Sequence, residues 1–97
     1  MATFVTLLKF TQKGIETIKQ APQRVEAARA MARAAGADIK AVYYTMGQYD
    51  AIVISEAPDD ETATKMALGG AMQGNVTSET MRAFSDAEFL KIVKSLP

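Results

Sequence analysis

The 97-residue chain has no cysteine and no histidine. Without cysteine there is no disulfide, no thiolate zinc site and no thiol nucleophile. Without histidine the chain lacks the commonest metal ligand and the commonest general base near neutral pH. An excess of one charge is missing too: 11 Lys and Arg balance 11 Asp and Glu, so the formal net charge is zero. That removes the broad positive field on which nucleic-acid binders rely, and it does little to keep copies of the chain apart. No window approaches the length of a membrane span. The opening "MATFVTLLKF" has no basic stretch of the kind that starts a signal peptide, and its alternation reads as a strand. The expectation is a cytoplasmic protein without cofactor or metal, binding neither nucleic acid nor membrane.

What is present suits one folded domain over residues 1–97. Hydrophobic residues make up 48% of the chain, and no linker, repeat or low-complexity tract divides it. Thr3 to Phe10 reads as a strand with both faces mostly apolar. "TQKGIETIKQ" reads as a loop running into a helical turn, with Ile15 and Ile18 at helical spacing. Pro22 suits the first position of a helix, which runs to about Ala35 and stops at Gly36. Its apolar face is Val25, Ala28, Ala32 and Ala35. Two strands follow, Ile39 to Met46 and Tyr49 to Glu56, joined by a predicted two-residue turn at Gly47-Gln48. Acids after Pro58 (Asp59, Asp60, Glu61) mark the start of another helix, continuing to about Met72. The fourth strand spans roughly Val76 to Phe84. "SDAE" at 85–88 then has the form of a capping box, opening a helix with the stripe Phe89, Ile92, Val93 and Leu96.

The order β-α-β-β-α-β plus a terminal helix predicts an α+β, ferredoxin-like domain. Its four-stranded antiparallel sheet has the first and third strands central, with helices on one face. The other face is also apolar. Pairing across the predicted turn sets Met46 opposite Tyr49, Tyr44 opposite Ala51 and Val42 opposite Val53 on one side. Ile39, Ala41, Tyr43, Ile52 and Ile54 fall on the other, with Thr45 opposite Asp50. A sheet with one solvated face would alternate apolar and polar residues. Either the terminal helix folds over the second face or a second subunit does; an open apolar sheet favours the subunit, and a homodimer or higher homo-oligomer is expected.

Candidate site residues are few. Tyr49 and Asp50 are a hydroxyl and a carboxylate beside apolar strands, suited to orienting a small polar group, or to proton transfer if burial shifts a pKa. As structure alone they are a cross-strand partner and a turn acceptor. Tyr43 adds a second aromatic, and Arg82, with Lys9 behind it, is the best candidate to meet an anion. Gly69 and Gly70 sit inside a helix, where each costs about 1 kcal/mol relative to alanine. "LGGAMQG" lacks the lysine of a phosphate loop, so close helix packing is the expected reason. The acidic run at 59–61 has no calcium-loop spacing.

Gly47, Tyr49 and Asp50, followed by "AIVISEAPDDETA" and later "GNVTSETMRAF", resemble the GYD domain family over nearly the whole chain. The resemblance implies the dimeric α/β-barrel group, in which the sheets of two subunits face each other. It implies no specific activity. Related barrels include cofactor-independent monooxygenases, small-lactone isomerases and ligand-sensing domains. Several such enzymes use a histidine, which this chain lacks. The favoured expectation is a self-associating protein that binds a small apolar or aromatic metabolite between sheet and helices. The alternatives are a cofactor-independent enzyme using Tyr49 and Asp50, or a structural subunit of a larger assembly.

Overall fold

In the computed structural model, which describes Met1–Pro97, the first strand runs from Ala2 to Phe10 (β1). Thr11 closes it and caps the short helix α1 (Gln12–Glu16), its hydroxyl accepting from the Gly14 amide at 3.1 Å. A 3-10 turn, Ile18–Gln20, leads into α2 (Ala21–Ala34), with Pro22 in the first turn, where its missing N–H leaves nothing unpaired. Gly36 adopts a φ of 81° and turns the chain into β2 (Asp38–Tyr44). β3 is Ala51–Ala57. Asp59 then caps α3 (Asp60–Ala71), its carboxylate accepting from the Thr62 amide at 2.7 Å. β4 (Val76–Ala83) precedes α4 (Asp86–Lys94), and the Ser85–Glu88 capping box forms as its sequence predicts.

The strand order is β2-β3-β1-β4 with every pairing antiparallel, so β1 and β3 are central and the domain is ferredoxin-like. Two expectations need correction. The hairpin is shorter: β2 ends at Tyr44 and β3 begins at Ala51, so Met46 and Tyr49 are not a strand pair. Tyr44↔Ala51 and Val42↔Val53 do pair as expected. The second correction is a bulge between Ile39 and Ala41. One extra residue reverses the alternation, so Ile39 joins Val42 on the helix side instead of Ala41 and Tyr43. The bulged residue is Lys40, whose ammonium reaches Asp38 at 3.2 Å and Glu56 at 3.3 Å and ties β2 to β3.

Helices α2 and α3 cover the face carrying Phe4, Thr6, Leu8, Val42, Val53 and Ser55. The buried core is small: Phe4, Ala32, Ala37, Ile39, Ala57 and Ala63. No large side chain is completely buried. Alanine-rich helices lie over this sheet without filling the space beneath them.

The register sets the other face out in rows. Ala41, Ile54, Val5 and Met81 lie across it in one row, and Tyr43, Ile52, Leu7 and Glu79 in the next. No helix covers these rows. All of α4 except the half-buried Glu88 is exposed, including Phe89, Ile92 and Val93. The terminal helix therefore does not fold over the second face. The Cα radius of gyration is 14.7 Å, above the roughly 12.5 Å of a compact chain this long.

Gly14 packs against the loop before β4, where an added Cβ would lie 2.1 Å from the Asn75 carbonyl oxygen. At Gly70 an added Cβ would meet nothing within 4 Å. In urea denaturation, Gly14→Ala is expected to destabilise by about 1–3 kcal/mol, as overpacking against backbone does. Gly70→Ala is expected to stabilise by about 1 kcal/mol, because only helix propensity changes.

Candidate functional site

Residues 45–50 connect β2 and β3. Gly47 has a φ of 105°, which an L side chain resists. Thr45 holds the connection closed: its amide donates to the Asp50 carbonyl at 2.9 Å and its hydroxyl to the Tyr49 carbonyl at 2.6 Å. Asp50 then reaches the central strand. Its amide donates to the Leu8 carbonyl at 2.8 Å, and its carboxylate accepts from the Phe10 amide at 2.8 Å. The backbone ladder between β1 and β3 stops at Leu8↔Ala51. The Asp50 side chain supplies the acceptor that the next residue of β3 no longer offers.

Tyr49 lies over the uncovered sheet face. Its hydroxyl sits 3.2 and 3.3 Å from the two Glu79 carboxylate oxygens, and the Lys9 ammonium is 5.3 Å from its ring centre. Loss of water around the hydroxyl, and then the Glu79 charge, push its pKa above the usual tyrosine value. Tyr43 shares that face, opposite Ile52 and 62% exposed. Arg82 does not. It lies opposite Phe4 on the helix side, at the other end of the strand from Lys9, which pairs with Thr77. The Arg82 guanidinium donates to the Thr3 and Ala83 carbonyls and lies 3.5 Å from Glu88, with the Phe84 ring centre 4.5 Å away. It fixes the joint between β4 and α4. The four candidate residues therefore do not converge, and Tyr49 and Asp50 make no hydrogen bond to each other.

A different set of residues does converge. Between the sheet and α2 and α3 lies a cleft of about 200 Å³, lined by 23 residues of which 15 are hydrophobic. Val42 and Val53 rise from the sheet; Val25, Met31 and Met66 come from the helices. The paired glycines help to shape it. The Met31 sulfur lies 3.1 Å from where a Gly69 Cβ would stand, the close helix approach expected of them, while Gly70 lines the cleft itself.

The floor carries hydroxyls where a packed core would be apolar. Thr6 and Thr80 bond across β1 and β4 at 3.0 Å. Ser55 is 5% exposed, lines the cleft and makes no side-chain hydrogen bond within the chain. Arg24, half-buried in α2, is the one charged side chain in the lining. Its Nη2 donates to the Thr17 carbonyl at 3.0 Å and to the Thr17 hydroxyl. Sequence reasoning missed Arg24, Thr6 and Ser55. The alternation signal was there: threonine and serine stand on the inward side of both central strands. The described residues contain no group of three or more Asp or Glu placed to hold a metal ion, and no helix long and apolar enough to cross a membrane.

Replacing Asp50 by alanine leaves the Phe10 amide without its charged acceptor. It is expected to lower stability by about 1.5–3 kcal/mol in urea denaturation. Tyr49 should titrate above the usual tyrosine value when phenolate absorbance is followed through alkaline pH. Because its folded pKa is raised, its contribution to stability is full below the unfolded value of about 10 and is lost as pH rises towards the folded one. Glu79→Gln should bring it part of the way back, since lost hydration is the larger cause.

A family model described as GYD domain matches residues 4–93. A Thermus thermophilus protein named glutamine synthetase and cystathionine beta-lyase binding protein is 32% identical over 95 residues, covering 97% of this chain and all of that one. Among solved structures, MtbAldR superposes with a TM-score of 0.68 at 14% identity, over 88% of this chain; this chain spans 54% of that one. FFRP-DM1 superposes with a TM-score of 0.61 at 20% identity, over 87% of this chain and all of that one. A solved Thermus thermophilus protein gives 0.55 at 22% identity, over 88% of this chain and 95% of that one. These structural likenesses are likenesses of fold. On the family match and the 32% identical relative together, the chain belongs to the GYD domain family.

Proposed function

We propose that this protein is a non-enzymatic, self-associating binding protein whose sheet–helix cleft takes one small apolar or aromatic molecule. The cleft carries the reading: a space of about 200 Å³ with mostly apolar walls. A cavity of about 150 Å³ suffices for a benzene-sized guest. Cytoplasmic location and the homo-oligomer belong to the same proposal. Val5, Leu7, Tyr43, Ile52, Ile54 and Met81 form an apolar surface on the uncovered face. Completing the burial of six such side chains on each of two copies contributes on the order of 10 kcal/mol. That is comparable with the 4–15 kcal/mol or so that association costs.

An acid–base role for Tyr49 and Asp50 gains no support from the geometry, because the Asp50 carboxylate is committed to a strand amide. The Thermus relative's name favours a second reading, in which the partner is a protein. The exposed apolar stripe of α4, with Phe89, Ile92 and Val93, is the surface suited to that.

Calorimetric titration with indole tests the first reading. Heat of binding at one site per chain is expected in the wild type, and Gly70→Leu, which fills the cleft from α3, should abolish it while leaving the far-ultraviolet dichroism unchanged. Equal binding by the two proteins would place the guest elsewhere.

A further inference from the structure

We infer that the guest of the cleft is a small monocarboxylate with an aromatic or branched apolar body, its carboxylate held by Arg24. The inference rests on the reading of the cleft as a binding site and names the chemistry of what enters it.

The lining includes one positive charge and no negative one. Seven of the eleven Lys and Arg residues have no carboxylate partner; of these, Arg24 is the one that lines the cleft. Thr17, from the turn before α2, engages only its Nη2, through two oxygens. That fixes the direction of the guanidinium and leaves Nε and Nη1 unbonded. A half-buried guanidinium with two free nitrogens is matched by a carboxylate, which accepts two parallel N–H bonds in one plane.

A cationic guest would meet Arg24 and find no acid. A wholly apolar guest would leave Nε and Nη1 of Arg24 unbonded. Size sets the rest: a space of about 200 Å³ exceeds what one benzene-sized ring needs by room for a head of a few atoms.

Benzoate, benzamide, benzyl alcohol and benzylamine, titrated separately by ligand-observed NMR, form the test. Benzoate is expected to bind the wild type about tenfold or more tightly than its neutral analogues, the margin of a charge-assisted pair. Arg24→Gln should remove that margin while leaving benzyl alcohol unchanged. If the neutral compounds match benzoate in the wild type, the carboxylate assignment is overturned and the cleft reading stands. If none of the four binds, the cleft reading fails as well. An advantage for benzoate that survives Arg24→Gln would overturn the role of Arg24. A preference for benzylamine would overturn the assigned charge. The wild-type ranking decides the ligand class even if Arg24→Gln does not fold.

Discussion

A four-stranded sheet with large apolar residues on both faces, and helices enough for only one, is the constraint from which the rest of this molecule follows. Val5 and Leu7 on β1, and Ile52 and Ile54 on β3, occupy the centre of the uncovered side. Water beside those strands is costly, and α4 does nothing to displace it. Arg82 holds the start of α4 against Glu88 and Phe84, directing the helix off the sheet. The domain thus presents two separate apolar surfaces, one flat and one helical.

The covered face meets the opposite difficulty. Its helices present alanine at Ala32 and Ala63, which allows close approach but fills little volume. The layers pack around Phe4, Ile39 and the alanines beside them, and leave a cleft next to that cluster. Large aliphatic residues at Thr6, Ser55 and Gly70 would have packed that cleft and stabilised the fold. Their absence is the physical basis for reading the space as a site rather than as a packing fault. Stability given up in a core is commonly associated with function.

Most of the fold was legible in the residues. Gly36, the acids after Pro58 and the Ser85–Glu88 box marked element boundaries, and the two-sided strands announced an uncovered face. The bulge at Lys40 was not legible, because one extra residue leaves no composition signal and shows itself only in pairing. It moved Ile39 to the other side. The GYD signature resolved into structural parts: Gly47 for its positive φ, Asp50 for the Phe10 amide, Tyr49 for Glu79. The cleft was anticipated as a space between sheet and helices, but its polar residues were not. Arg24 looks like any surface arginine in a helix until its bond to Thr17 and its place in the cleft lining are seen together.

Native mass spectrometry of freshly purified protein, followed by denaturing mass analysis of the same sample, tests the account most directly. It reads subunit number and retained small molecules at once. A dimer or higher oligomer carrying extra mass that is lost on denaturation is the predicted result. A monomer of the bare chain mass would contradict it, since both the uncovered sheet and the open cleft would then persist without an occupant.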